Sequence, residues 1–272
     1  MTANRGVVGE QGHRPHATRA VRSGARRWAW LPVLGGGIGL YIAVRQALVI
    51  TENPRLVPAL LVLGVVVIPV SFVVYVDGRN PVYDVPLSVL LSCALLGGVL
   101  GAAVAGVLEF DTALWLDELP PVSVGVIEEA AKLLVPIAIL IFTRYRAKTA
   151  DGLLIGVAVG MGFALLDTLG YGFVTLLATG GDLTEVEGLV LLRAALNPAA
   201  HAAWTGLAAA ALWWAHTQGW RLRGLAAAVG GFGLAVALHT LWAATTAWYS
   251  YLIVGIISFA LLLGQTHRSV LR

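Results

Sequence analysis

The sequence predicts an all-α fold, a polytopic membrane bundle of about eight transmembrane helices with both termini cytoplasmic. Three observations lead there. Of 272 residues, 58% are hydrophobic and 12% charged, and the mean hydropathy is +0.82, far from the balance of a water-soluble domain. The apolar residues gather in runs of the roughly 20 residues needed to cross a bilayer. Lys and Arg concentrate in alternate loops, the pattern that marks the cytoplasmic side.

Residues 1–27 form a basic tail in which Arg5, Arg14, Arg19, Arg22, Arg26 and Arg27 face one acid, Glu10. The tail reads as a disordered cytoplasmic anchor, and without stacking aromatics or a binding fold it does not suggest nucleic acid as a partner. The apolar run after it is long and lacks a small-residue cleavage site, so it is kept as a span. Residues 28–272 are expected to be a single transmembrane domain, with spans at 28–50, 56–76, 86–108, 122–143, 152–178, 189–215, 224–246 and 248–265. With the tail inside, Arg79 follows span two on the inner side, and Glu109, Asp111, Asp117 and Glu118 follow span three on the outer side. Arg144, Arg146 and Lys148 return inside after span four, and Asp182, Glu185 and Glu187 lie outside after span five. Arg221 and Arg223 follow span six, a short connection around residues 248–250 joins the last two spans, and Arg268 and Arg272 end the chain inside. A missed or invented span would invert this alternation partway along. Cys93 has no partner, which removes disulfides and cysteine metal sites from consideration.

Spans four to seven each carry ionisable or polar side chains, at roughly 2.5–3.5 kcal/mol for an acid or lysine near a helix centre. In span four, Glu128 and Lys132 are i, i+4 neighbours and Glu129 reaches Lys132 at i, i+3. An internal salt bridge is the plain reading, but two acids exceed one lysine's charge and imply a further partner. In span five, Gly152, Gly156 and Gly160 form a small-residue row for close helix approach, and Asp167 falls within about 20° of that face. Asn197, His201 and Thr205 form a stripe at i, i+4 steps in span six, where Pro198 is placed to bend the helix. Gly231, Ala235 and His239 share a face of span seven, with Thr246 two turns on. At 1.5 Å per residue, Glu128, Asp167, His201 and His239 lie roughly 9, 17, 18 and 10 Å below the outer ends of their spans. Singly, each histidine reads as a satisfied core residue; together with carboxylates at one depth they suggest an active site.

These residues carry a resemblance. EEAAK at Glu128–Lys132, the glycine-rich segment ending at Asp167, HAAWTGL from His201 and ALHTLW around His239 resemble, in order and spacing, the motifs of the PrsW intramembrane proteases. That family is a branch of the group that includes the type II CAAX prenyl endopeptidases. The resemblance covers about 122–245 and implies a catalytic core at about 122–246. Two positions depart from it: Asp167 stands where Glu is usual, followed by Thr168 where Asn is common, and Ala243 stands where relatives often carry Asn or Asp. If that last side chain supplies an oxyanion donor, Asn197, Thr205 or Thr246 must replace it.

The resemblance implies an intramembrane endopeptidase in a cell membrane, bacterial in origin, that cuts a membrane-anchored protein such as an anti-sigma factor near the outer face. Glu128, Glu129, His201 and His239 are the expected catalytic residues, with Lys132, Asn197 and Thr205 in support. Two chemistries fit. In one, His201, His239 and a carboxylate, Asp167 or Glu129, hold Zn²⁺ and Glu128 takes a proton from water. In the other no metal takes part, Glu128 is the base and the histidines position water and the oxyanion. Lys132 is expected to balance Glu129 and leave Glu128 free. The competing class is a non-catalytic membrane scaffold or carrier, and a carrier would favour paired broken helices and internal symmetry.

Overall fold

The computed structural model describes residues 24–79, 83–245 and 248–271. Most of the basic tail and Thr246 lie outside the described residues. Every regular element among them is helical: α1 (Gly24–Trp28), α2 (Trp30–Thr51), α3 (Val57–Arg79), α4 (Leu87–Leu116) and α5 (Pro121–Phe142). There follow α6 (Thr149–Ala178), α7 (Leu183–Leu196), α8 (His201–Thr217), α9 (Leu222–Ala243) and α10 (Trp248–Leu271). Six helical stretches are long and apolar enough to cross a membrane: Arg26–Thr51, Pro54–Gly78, Leu87–Leu116, Thr149–Ala178, Leu222–Ala243 and Tyr249–His267. The chain is a multi-pass integral membrane protein. Two of the eight expected spans miss that measure for physical reasons. The 22-residue α5 carries Glu128, Glu129 and Lys132, and expected span six is divided, leaving α8 with 17 residues.

The division is sharper than a bend. Pro198 has no N–H to continue α7, and Asn197–Ala199 close into a 3₁₀ turn. Ala200 adopts φ −117° and ψ −108°, and a fresh helix starts at His201. Asn197 therefore does not share a stripe with His201 and Thr205. Expected span three is also corrected. Helix α4 continues through Glu109 and Asp111 to Leu116 and stops where Asp117 turns left-handed, at φ 56°, just ahead of Pro120 and Pro121. Nothing between residues 108 and 116 breaks a helix, so the acids stay within it.

Helix α6 is the axle of the bundle: 78% of its most apolar stretch is buried, against 6% for the first span. The expected glycine row explains one side. A methyl on Gly160 would run into the His201 carbonyl, and one on Gly156 would lie 2.9 Å from the Gly206 Cα, so α8 packs almost backbone to backbone on α6. On another side of α6, Gly162 faces the Ala94 carbonyl, and a methyl on Gly98 would lie 2.6 Å from the Gly162 carbonyl oxygen. Thus α6 holds α8 and α4 at close range on two faces, and α9 closes the group because Gly125 of α5 fits against Thr240 and the Val236 carbonyl. Large apolar side chains such as Leu95, Val107, Phe173 and Val229 remain exposed around the outside, as a lipid-facing surface requires.

Candidate active site

Four helices deliver the polar groups. Helix α5 contributes Glu128, Glu129 and Lys132, which are 8%, 0% and 0% exposed. Asp167 comes from α6, His201 and Thr205 from α8, and His239 from α9. Because α8 begins at His201, that side chain sits on the first turn of a helix whose N-terminus is buried against Gly160.

Lys132 is the hub. Its Nζ donates to Glu128 Oε2 at 3.0 Å and to Glu129 Oε1 at 2.8 Å, and lies 2.8 Å from His201 Nδ1 and 4.1 Å from the centre of the Phe163 ring. An ammonium has three donors and no lone pair, so these three neighbours saturate it. The lysine thus pairs with both acids, where Glu129 alone was expected. His201 Nδ1 must accept, which assigns its proton to Nε2, 3.6 Å from Asp167 Oδ2. His239 faces carboxylates at both ring nitrogens: Nδ1 donates to Glu129 Oε1 at 2.9 Å, and Nε2 lies 3.6 Å from Glu128 Oε2. Thr205 Oγ1 makes a long 3.5 Å bond to the other oxygen of Glu129. Glu129 is accordingly enclosed by donors, while Glu128 also lines a cavity with Asp167.

Residues 85–264 match the family model described as PrsW family intramembrane metalloprotease. The chain belongs to this family. The match begins well before the first motif and takes in α4–α9 and most of α10, so membership in the PrsW family covers the whole set of helices around the site. Comparisons with curated proteins and with solved structures returned no match.

The metal named in the PrsW description can be tested against the donors present. Glu128, His201 and His239 each offer one ligand atom, all within 4.8 Å of one another. Two imidazoles and a carboxylate fit Zn²⁺ in type and separation. Lys132 sets a condition: His201 ligates through Nε2 only if Nδ1 carries the proton, and the ammonium must then leave or become neutral. Asp167, an expected ligand, lies 3.6 Å from His201 Nε2 and is also paired with a cation. Arg193 Nη2 on α7 donates to its Oδ2 at 2.5 Å and the guanidinium covers Tyr171 at 3.9 Å.

Sequence reasoning missed three side chains at this PrsW site. Arg193 stood inside expected span six and would have been found by the rule that singled out Glu128. Trp204 lies three residues after His201, stacks on His239 at 4.8 Å and is fixed by an Nε1 bond of 2.9 Å to Ser258 on α10. Glu109 was assigned to a loop and instead lines the cavity beside Glu128. Asn197, by contrast, stays out of the cluster. Its amide donates to Thr168 Oγ1 at 3.1 Å and to the Ala164 carbonyl at 3.5 Å, so it fixes the break between α7 and α8.

Proposed function

We propose that this chain hydrolyses a peptide bond of a membrane-anchored protein near the outer membrane face, with Glu128 as the base that activates water. Family membership implies an intramembrane protease; the observation carrying the finer reading is that Glu128 lines a cavity while Glu129 is enclosed by Lys132, His239 and Thr205. Glu128 takes a proton as water attacks the scissile carbonyl, and the same carboxyl returns it to the leaving amine. Glu129 holds His239 by Nδ1–H, so that Nε2 faces Glu128 and orients the water. Lys132 and the Nε2–H of His201 supply positive charge and a donor for the oxyanion, the role that Ala243 cannot fill. Where a divalent cation is bound, Glu128, His201 and His239 would hold it, and it would polarise the carbonyl and acidify water. The metal-free form is favoured by Lys132 on His201 Nδ1, and the metal form by the spacing of the three donors.

The substrate proposed is a single-span regulator of the anti-sigma type, in a bacterial cell membrane. The eight-span topology with cytoplasmic termini and the single domain at 28–272 with its core at 122–246 belong to the same reading, whereas the expected disorder of the tail does not reach residues 24–27, which are helical, with Arg26 paired to Asp77. Purified wild type is expected to cut single-span test substrates, and Glu128→Gln to cut them roughly 10²–10⁴-fold more slowly while still melting cooperatively as a folded protein. Equal cleavage by both sinks the assignment of Glu128. Activity abolished by a chelator and restored by Zn²⁺ selects the metal form; chelator-resistant activity selects the metal-free form.

A further inference from the structure

Between α4, α5 and α6 lies a cavity of about 320 Å³ whose acidic lining residues are Glu109, Glu128 and Asp167. Glu128 is paired with Lys132 and Asp167 with Arg193. Glu109 is different. Its Oε1 is buried and has no hydrogen-bond partner, and the mechanism above gives the residue no task. Four carboxylates, Glu109, Glu128, Glu129 and Asp167, meet two cations, Lys132 and Arg193, around this space. Among the described residues, the cavity lining itself holds three carboxyl groups and no Lys, Arg or His. A buried carboxylate oxygen without a donor is costly, and a neutral N–H would satisfy the bond while leaving the charge. Beside Glu109 on α4 the lining is small, with Ala105 and Gly106, and α6 adds Gly170 and the flat ring of Tyr171, which leaves room for a side chain from outside.

We propose that Glu109 is a specificity residue, its carboxylate receiving the ammonium or guanidinium of a Lys or Arg that the substrate carries near the bond presented to Glu128. This rests on the hydrolytic reading of the site. A long basic side chain suits the geometry, because its methylenes lie along the apolar walls while its charged end reaches the acid.

The test uses the purified full-length chain in detergent and a panel of single-span peptides, lysine-free except for one Lys or, in the matched peptide, Met, moved residue by residue through the segment flanking the cleaved bond. Binding is measured in the Glu128→Gln background, and cleavage with the wild type. At one position the Lys peptide is expected to bind roughly tenfold or more tightly than its Met counterpart. Adding Glu109→Gln brings that ratio to about one, and Glu109→Lys transfers the preference to a Glu-bearing peptide, with melting temperatures reporting that each variant is folded. A Lys preference that survives Glu109→Gln, or no Lys preference at any position, overturns the proposal. Cleavage without Lys preference thus removes the role of Glu109 and leaves hydrolysis standing, whereas Lys-selective binding without cleavage removes hydrolysis and leaves Glu109 its ligand.

Discussion

Lys132 settles more of this site than either glutamate, because the three donors of one ammonium are taken up by Glu128, Glu129 and His201. It holds two carboxylates within 3.0 Å in a fully buried position, and its third contact forces His201 to accept at Nδ1. Removing it leaves two acids facing each other without a cation, a loss of about 3–5 kcal/mol for a broken buried pair. Lys132→Met is therefore expected to lower the melting temperature sharply in detergent, while an unchanged melting curve would mean that the acids do not depend on it. At this scale the sequence was informative wherever a charge interrupted an apolar run, since such charges are costly without partners. Glu128, Glu129, Lys132, Asp167, His201 and His239 were all visible on that ground. What it could not supply was the pairing: whether Lys132 serves one acid or two depends on rotamers and on a helix sixty-nine positions away.

Among the elements, α6 explains why the site can assemble at all. Its glycines admit α8 on one face and α4 on another, and the His201 carbonyl lies where a side chain at Gly160 would be. Gly160→Leu must push α8 away and carry His201 with it, at about 1–3 kcal/mol for overpacking, with cleavage lost. Gly233 on α9 has open space beyond its Cα, so Gly233→Ala is expected to leave the melting temperature unchanged or slightly higher. Comparable destabilisation by the two changes would contradict the packing described. The glycine row was legible because small residues at four-residue spacing have few other uses in a membrane. Two features were not. Hydropathy sees only an apolar run across residues 189–215, so a break at Pro198 and Ala200 that restarts the helix looks the same as a kink. The extension of α4 past residue 108 was hidden by its acids, which resemble a loop until their neighbours are known.

For the whole molecule, the arrangement of basic and acidic loops makes an orientation testable. In a Cys93→Ala background, single cysteines at Asp117 and Gly180 are expected to react with a membrane-impermeant reagent added to intact cells, and those at Arg146 and Gln218 only after lysis. Labelling of both pairs from outside, or of the second pair alone, would overturn the proposed topology. The bundle also has a history as a growing chain. Asp167 and Arg193 are 26 residues apart, so at about 5–20 residues per second the acid is synthesised roughly 1–5 s before the arginine that neutralises it. A lone aspartate in the hydrocarbon is unfavourable by roughly 2.5–3.5 kcal/mol, and α7, 14 residues long, is too short to cross by itself. The ion pair removes the first difficulty if α6 and α7 enter the bilayer together as one hairpin, and α8, which follows α7 after the turn at Asn197–Ala199, supplies the missing length. The smallest insertable unit in this part of the chain is then a pair of helices already joined by their charges, and the ribosome must finish α7 before α6 can come to rest.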